Sequence, residues 1–573
     1  MPVHNKEIAE IFNEIADLLE IHGENQFRVR SYRNAVRSVL NSSENISEMV
    51  QNGDDLSELP GIGSSIAGKI REIVETGELK QLLDLRKEIP GSLTDIMKLE
   101  QMGPQRTKLI YDELKITSIE ELKQAALDGK IETIPKLGKK TQEKILQEIE
   151  SFKETGGSMR LKWSDANDFV QPLVQYLTKE LKDIMVAGSY RRRQETIGDI
   201  DILATSSDPE KAMEHFILYD ETVEILARGK TKSSIRLRSG LQVDLRIVEK
   251  RSYGSALFYF TGSKAHNIAI RKLAIEKGFK VNEYGIFNGK KQIAGKTEEE
   301  VYHALGLQYV EPELREDQGE IEASLKNGLP KLITLEDIRG DLHSHTNATD
   351  GKYSLEEMAK AAETKGYEYF AVTDHSRRVT MANGLDERRL EEQIERIDKL
   401  NSGLKKIQIL KSIEVDILED GTLDLPDHIL KKLDLVVCSV HYNRNLSEEK
   451  QTSRILKAMD NPYFNILGHP TGRLIGERAG YEVDMKKIMQ KAKEEGCFLE
   501  INSNPERLDL DDHLARMAKN MKIKFSISTD SHAIGNLDYM AYGIAQARRG
   551  WVEKDDVINT RPLKELKELL KRK

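Results

Sequence analysis

Asp199 and Asp201 stand two apart in V-A-G-S-Y-R-R-R-Q-E-T-I-G-D-I-D-I-L (Val186 to Leu203), separated by Ile200 and followed by Ile202 and Leu203. On a strand, residues two apart project from one face, so both carboxylates share a surface while the isoleucines turn to the core. Two anions that close repel unless a cation lies between them, and oxygen-only ligands suit Mg²⁺ or Mn²⁺ that is also bound to phosphate. A third carboxylate follows: Ile235 to Arg238, a Ser239-Gly240 turn and Leu241 to Val248 predict a β-hairpin that sets Asp244 on a polar face. Three acids on neighbouring strands can hold two metals for in-line phosphoryl or nucleotidyl transfer. Gly188, Ser189 and the run Arg191, Arg192, Arg193 precede them as backbone, hydroxyl and guanidinium donors for a triphosphate.

From Asp341 onward the chemistry changes. Histidines and acids recur after apolar runs: Asp341-Leu342-His343-Ser344-His345, Ala371 to His375, Ser412-Ile413-Glu414-Val415, Val436 to His441, Ile466 to Pro470 with His469, and Ser526 to His532 with Asp530. Helical patterns separate them at Ser354 to Lys365, Glu387 to Leu400, Asp484 to Glu495 and His513 to Asn520. Strand-helix alternation with polar groups at strand ends is how a β/α barrel assembles a site on one face. His-x-His on one strand presents both imidazoles on the same side, ready for one transition metal. Mixed imidazole and carboxylate ligands suit Zn²⁺, Mn²⁺ or Fe²⁺, and phosphoester hydrolysis is the natural reaction.

These sites need separate scaffolds, and a chain of 573 residues divides into roughly four domains. It contains no run of about 18 apolar residues and its N-terminus lacks a signal-peptide layout, so a cytoplasmic protein without a membrane partner is expected. Cys438 and Cys497 each lie in an apolar run, which predicts reduced thiols on buried strands and no disulfide framework. The net charge of -9 argues mildly against non-specific nucleic-acid binding, although carboxylates that hold metals count as negative in that sum. The N-terminal part reads as helices interrupted at Leu59-Pro60-Gly61-Ile62-Gly63, Leu99-Glu100-Gln101-Met102-Gly103-Pro104 and Ile134-Pro135-Lys136-Leu137-Gly138. These interruptions resemble helix-hairpin-helix motifs, in which glycine lets backbone N–H groups at a helix start approach a DNA phosphate whatever the base sequence. That makes Gly61, Gly63, Gly103 and Gly138 the DNA-contacting positions, with Lys69, Lys108, Lys139 and Lys140 adding charge.

The acidic triad with its upstream Gly-Ser resembles the nucleotidyltransferase superfamily. The segment L-F-Y-F-T-G-S-K-A-H-N-I-A-I-R (Leu257 to Arg271), by periodicity a strand end entering a helix, is similar residue by residue to the DNA polymerases of family X. The resemblance implies Asp199, Asp201 and Asp244 as catalytic metal ligands, with nucleotide contacts from Gly188, Ser189, Arg192, Gly198, Tyr259, Phe260, Gly262, Asn267 and Arg271. Tyr259 and Phe260 would line the deoxyribose pocket, Gly262 would let the sugar approach, and Asn267 and Arg271 would face the minor-groove side of the nascent pair. Ile197 and Gln242 stand where the eukaryotic pattern has a small polar and a basic residue. Lys69 falls where some members carry a lysine that forms a Schiff base with an abasic sugar. Around it Arg28 and Tyr32 match that pattern in kind, whereas Phe27 and Ser65 replace a histidine and a lysine.

The histidine set resembles the PHP (polymerase and histidinol phosphatase) family, whose sites hold three metals. This implies His343, His345, Asp350, His375, Glu414, His441, His469, Asp530 and His532 as ligands, with Glu414 bridging. Some members place a histidine one position after Asp350, where this chain has Gly351; Arg473, soon after His469, is either a phosphate contact or a solvated loop arginine.

The order of parts is similar to bacterial-type family X DNA polymerases fused to a PHP domain. It implies a monomeric repair enzyme that fills short gaps in primer-template DNA with dNTPs under Mg²⁺ or Mn²⁺. It also implies a 3′→5′ exonuclease with up to three Zn²⁺, Mn²⁺ or Fe²⁺, and leaves open a 3′-phosphatase or abasic-site endonuclease reaction at that site. The expected fold is multidomain α+β and α/β. Helical helix-hairpin-helix domains span 1–85 and 86–155, the latter ending in a Gly-rich linker at Glu154 to Ser158. A nucleotidyltransferase palm with a mixed sheet spans 156–260 and a thumb 261–315, with Val281 to Phe287 completing the thumb. An ordered connector at 316–337 packs through Ile321, Leu325, Leu329 and Leu332, and a TIM-like PHP barrel takes 338–573. Three other readings use part of the chain. A small phosphate-ester phosphoesterase with a regulatory N-terminal half leaves Asp199, Asp201 and Asp244 without work, and a DNA-binding scaffold has no need of an intact ligand set. A nucleotidyltransferase acting on RNA or a small molecule is separated by comparing dNTP with rNTP incorporation.

Overall fold

The computed structural model describes residues 5–572 apart from 42–45, 60, 77–78, 89–92, 98, 100–101, 136 and 155–159. Pro60, Glu100, Gln101, Lys136 and the linker residues Thr155 to Ser158 therefore lie outside the described residues. The chain divides into two compact units, 1–159 and 160–573.

The first unit is helical. The helix Asn5–His22 turns Ile8, Phe12, Ile15, Leu18 and Leu19 inward, and one apolar core runs on through Tyr32, Ile66, Ile70 and Ile110 to Ile145 and Ile149. Each glycine interruption leads into a helix, at Ser64–Thr76, Pro104–Leu114 and Lys139–Glu154. Gly61 adopts a left-handed φ of 79°, and no atom lies within 4 Å of where a Cβ would stand at Gly63, Gly103 or Gly138. The backbone at these helix starts is open to an approaching anion.

The second unit begins with a five-stranded mixed sheet ordered Lys182–Val186, Asp199–Thr205, Gln242–Ile247, Lys232–Leu237, Thr222–Ala227, in which only the Asp199–Thr205 and Gln242–Ile247 strands pair in parallel. The predicted hairpin is present, and the helices Trp163–Leu177 and Pro209–Ile217 pack Val170, Leu173 and Phe216 against the sheet. The next segment corrects the periodicity reading: Tyr253–Thr261 is a helix, followed by Lys264–Glu276. Its run of Phe and Tyr has strand propensity, but Ala256, Leu257, Phe258 and Gly254 are all buried, as a helix enclosed on most sides requires. Gly254 lies so close to Thr297 that a Cβ would come within 2.2 Å of its carbonyl carbon. An antiparallel sheet of Lys280–Asn282, Gly285–Asn288 and Lys291–Ala294 completes this lobe. The connector is ordered, with short helices at Glu320–Leu325 and Leu335–Asp337, just after a helical turn at Pro312–Leu314. Ile321 and Leu332 are buried, but Leu325, expected to pack, is 46% exposed.

Seven parallel strands in sequence order, from Gly340–Asp341 to Phe525–Ser528, form the C-terminal barrel. The ends meet where Asp530 N donates to His343 O at 2.9 Å and His345 N to Ser531 O at 2.8 Å. The barrel thus nearly closes on seven strands. The expected helices appear at Leu355–Thr364, Glu387–Gly403, Met485–Glu495 and Asp512–Asn520. Tyr369, Leu410, Leu435 and Phe498, near the strand starts, pack with Leu566 and Leu570 of the last helix, leaving the strand ends for polar side chains. Cys438 is a buried strand residue as expected, whereas Cys497 precedes its strand, Phe498–Asn502; both thiols are free. No helix among the described residues is long and apolar enough to cross a membrane.

Candidate active sites

Parallel pairing sets Asp201 directly beside Asp244 and Asp199 beside Gln242, so the three carboxylates share one face of the sheet. Burial first, then the charges of Asp199 and Asp244, push the Asp201 carboxyl up to about 6, against the pull of Arg246 and Lys232. An oxygen-only set in mutual repulsion fits a divalent cation. Two cations that sequence reasoning missed hold Asp244: Lys232 Nζ lies 3.3 Å and Arg246 Nη2 3.7 Å from Oδ2, while Gln242 Nε2 donates to Oδ1 at 3.0 Å. Gly188 has a left-handed φ of 62° and its added Cβ would stand 3.1 Å from Asp201 Oδ2, so glycine lets the Ser189 turn lie against the acids. Gly198 abuts Arg160, which bonds Thr196 through Nε at 2.9 Å and Nη2 at 2.7 Å.

The arginine run is more occupied than its sequence implies. Arg191 grips Glu298 with two nitrogens at 2.9 and 2.7 Å, and Arg193 stacks 4.1 Å over the Trp163 ring. Both are structural, which corrects their reading as triphosphate donors. Arg192 donates to Glu316 Oε1 and to Thr261 O, each at 2.8 Å. Tyr259, Phe260, Gly262, Asn267 and Arg271 do converge. Asn267 Nδ2 donates to Tyr259 O at 2.7 Å and Gly262 O at 3.1 Å, Arg271 Nη2 donates to the Tyr259 hydroxyl at 2.8 Å, and Arg246 stacks 4.3 Å over Phe260. A Cβ at Gly262 would stand 2.7 Å from Asn267 Oδ1. In the N-terminal unit, Lys69 donates to the Tyr32 hydroxyl and lies 4.7 Å over its ring, while that hydroxyl donates to Gln81 at 2.6 Å.

At the barrel's strand ends the nine histidine-set residues converge. Three groups have donor atoms close enough for one ion each: His345, Asp350, His375 and His532; His343, His345 and Asp530; and His375, Glu414 and His441. Glu414 lies among all of them, with Oε1 3.0 Å from His469 Nε2 and 3.3 Å from His441 Nε2, and Oε2 3.5 and 3.6 Å from His343 and His345 Nε2. His343 Nε2, His345 Nδ1, His375 Nδ1 and Glu414 Oε2 are buried without hydrogen bonds, although His375 Nδ1 is only 2.8 Å from Glu414 Oε2. Close donors lacking hydrogen-bond geometry fit a shared cation.

The electrostatics agree. Although burial opposes it, His441, His375 and His343 hold the Glu414 carboxyl well below the carboxylate range, and His343, His345 and His532 do the same to Asp530. Burial, then His532 and His375, drive the His345 imidazole down to about 3, while Glu414 and Asp350 overcome burial to raise His375 to about 10. Metal ions would replace these shared protons.

Two supporting acids also escaped the sequence reading. Glu500 Oε1 lies 2.7 Å from His343 Nδ1 and its Oε2 accepts from His469 N at 2.6 Å, while Asp416 Oδ1 lies 3.1 Å from His441 Nδ1. Such partners fix the tautomer and aim of a ligand ring. Glu500 carried a signal, since F-L-E-I-N repeats the acid-within-apolar-strand pattern of Glu414. Arg473 corrects the expected phosphate contact: its guanidinium is taken by Glu195 of the palm, at 3.2 Å for Nη1, and by the carbonyls of Arg507 and Leu508. The arginine that lines the barrel cavity, of about 310 Å³, is Arg507, which no local spacing announced.

The geometry agrees with comparison to known proteins. Family profiles match in order: "Helix-hairpin-helix domain" at 3–79, "SAM-like Helix-hairpin-helix tandem" at 93–151, "DNA polymerase beta palm" at 160–249, "DNA polymerase beta thumb" at 256–316 and "PHP domain" at 341–504. The chain is 37% identical over 580 residues, with 100% of both chains covered, to the DNA polymerase/3′-5′ exonuclease PolX of Bacillus subtilis (strain 168). A probable phosphatase of Thermoanaerobacter sp. (strain X514) is 32% identical over 244 residues, covering 41% of this chain and 94% of that one. One from Acetivibrio thermocellus is 30% identical over 201 residues, covering 34% and 78%. With the acidic triad on the palm and the histidine set in the barrel, the chain belongs to the family X DNA polymerases that carry a C-terminal PHP domain.

Proposed function

We propose that this protein fills short gaps in DNA from the palm site and trims 3′ ends from the barrel site. The reading is supported by two donor sets in one chain: an oxygen-only triad on paired strands, and an imidazole-carboxylate cluster at the barrel's strand ends. Asp199, Asp201 and Asp244 would hold Mg²⁺ or Mn²⁺, and the nine barrel residues, Glu414 among them, up to three Zn²⁺, Mn²⁺ or Fe²⁺. When bound, such ions neutralise phosphate charge and lower the barrier to displacement at phosphorus.

The chain's own groups do the positioning. The Gly188 N–H and Ser189 hydroxyl meet the triphosphate, and Gly198 keeps its approach open. Arg192 exchanges Glu316 for phosphate oxygens as the nucleotide arrives. Tyr259, Phe260 and Gly262 form the sugar floor, and Asn267 and Arg271 hold it from behind while facing the nascent pair. In the barrel, Arg507 takes a non-bridging oxygen of the scissile phosphate, and Glu500 and Asp416 keep His343 and His441 aimed. Gly61, Gly63, Gly103 and Gly138 grip backbone phosphates outside the gap. Lys69 serves as an abasic-site nucleophile once it releases Tyr32, and borohydride trapping on abasic DNA tests that role. The domain limits given above and a monomeric state belong to the same reading.

The test is an end-labelled primer on a one-nucleotide-gapped duplex with Mn²⁺. Single-nucleotide extension with dNTP but not rNTP, and release of nucleoside 5′-monophosphates without dNTP, are expected. A primer left unchanged, together with hydrolysis of small phosphate monoesters, would replace this reading with that of the probable phosphatases.

A further inference from the structure

Of the eleven residues that line the barrel cavity, only Val379, Met381 and Ala382 are apolar, and all three belong to one loop between His375 and Leu385. Val379 and Ala382 are buried, whereas Met381 is 94% exposed, the most exposed large apolar side chain among the described residues. A lone methionine at a surface is ordinary. This one continues the apolar wall of a cavity that otherwise offers carboxylates, imidazoles and Arg507.

The loop that carries it is firmly tied. Leu385 N donates to His375 O at 2.7 Å, so the loop opens and closes on a residue of the metal-ligating set. Within it, Val379 N donates to Ser376 O at 3.0 Å and Ala382 N to Val379 O at 3.1 Å. Arg389 donates through Nη1 to the carbonyls of Asn383 and Gly384, at 2.6 and 3.0 Å, and through Nη2 to that of Ala348 at 2.6 Å. The Asp424 carboxylate accepts from Arg378 N at 2.6 Å. A Cβ at Gly384 would stand 1.9 Å from Ser376 O, so the chain passes there only as glycine. Backbone held in this way fixes where the Met381 side chain starts, and that side chain stays in water until a substrate covers it.

The part of a substrate that fits is a nucleobase. Phosphate and sugar oxygens are served by the polar residues, whereas a base presents a flat aromatic face, and a thioether makes favourable contact with such rings. At about 310 Å³ the cavity lies at the lower end of ligand pockets, so it takes the terminal nucleotide of a strand rather than several. We propose that Met381, together with Val379 and Ala382, packs against the base of the 3′-terminal nucleotide while its phosphodiester meets the histidine cluster. This base wall rests on the exonuclease reading for its substrate; a phosphoesterase for small esters has no use for it.

The experiment uses the full chain with Asp199→Asn and Asp201→Asn, which silences the palm, and compares it with the same chain carrying Met381→Ala or Met381→Leu. Single-stranded oligonucleotides with Mn²⁺ end either in thymidine or in a tetrahydrofuran residue that lacks the base. With Met381 present, kcat/KM should favour the thymidine end by about three- to tenfold, chiefly through KM. Met381→Ala should bring that ratio near one, and Met381→Leu, which keeps the apolar surface, should hold most of it. Calorimetry with thymidine 5′-monophosphate and 2-deoxyribose 5-phosphate reads the same preference without turnover. If calorimetry shows a preference that Met381→Ala removes but no strand is shortened, the base wall stands and the exonuclease reading falls. A preference that survives Met381→Ala, or one that is lost only when the tetrahydrofuran is moved one residue inward, would overturn the base wall.

Discussion

Acidification should deprive the palm of metal across a window set by Asp201. With its carboxyl raised to about 6 by burial, Asp199 and Asp244, a cation must displace a proton whenever the pH lies below that value. At pH 5 about one Asp201 in eleven is ionised, so half-saturation should need roughly tenfold more metal than at pH 7, about 1.4 kcal/mol per pH unit. Above about pH 7 the requirement should be flat. The sign for stability follows from the same shift. A carboxyl whose folded value is above its unfolded 3.8 favours the folded state at low pH, so the metal-free palm should lose about 3 kcal/mol as the pH rises from about 4 to 6. Metal should restore that stability. Removing Lys232, whose charge holds Asp201 down, should move the midpoint upward. The assay is Mg²⁺ binding by calorimetry to the His343→Ala/His345→Ala variant from pH 5 to 8, which separates binding from the pH dependence of chemistry and from the barrel. A metal affinity constant between pH 5 and 7 would refute the reasoning.

Glu500→Gln, which weakens the hold on His343 and His469, should lower barrel metal affinity and exonuclease by about 10- to 100-fold while gap filling is kept; metal content and primer shortening report it. Glu298→Gln leaves the fully buried Arg315 without its carboxylate and should destabilise the thumb by about 3–5 kcal/mol. Glu298 sits at about 2 because Arg315 and Arg191 outweigh its burial, so its stabilisation is complete above its unfolded value near 4.5 and fades as the pH falls toward 2; urea unfolding of wild type and variant at pH 7 and 3 tests this. Gly262→Ala drives a methyl group against Asn267 and should slow gap filling by up to about 100-fold through a misplaced sugar floor, with primer shortening unaffected.

What could be read from sequence depended on how far apart the cooperating residues lie. Asp199 and Asp201 declare themselves because strand alternation fixes their shared face; the Ser239-Gly240 turn marks the strand that carries Asp244, but its parallel pairing beside Asp201 is fixed by sheet topology that no local spacing shows. The barrel histidines follow apolar strands one after another, so each marks a strand end. Arg507 and Lys232 carry no comparable signal: their targets are fixed by register or loop packing rather than by spacing, whereas Arg246, two residues on from Asp244 on the same strand, shares its face by simple alternation. The arginine run shows the converse failure. Type and position suit Arg191 and Arg193 to phosphate, but Glu298 lies more than a hundred residues on, and nothing local announces that it claims Arg191. The Tyr253–Thr261 helix was misread because aromatic strand propensity is a weak preference that enclosure overrides.

The claim that two independent sites share this chain is tested most directly by one primer and two variants. On a one-nucleotide-gapped duplex with Mn²⁺, Asp199→Asn with Asp201→Asn should abolish extension and leave shortening intact, while His343→Ala with His345→Ala should abolish shortening and leave extension intact. Loss of both activities in either variant, or of the opposite one, would contradict the account.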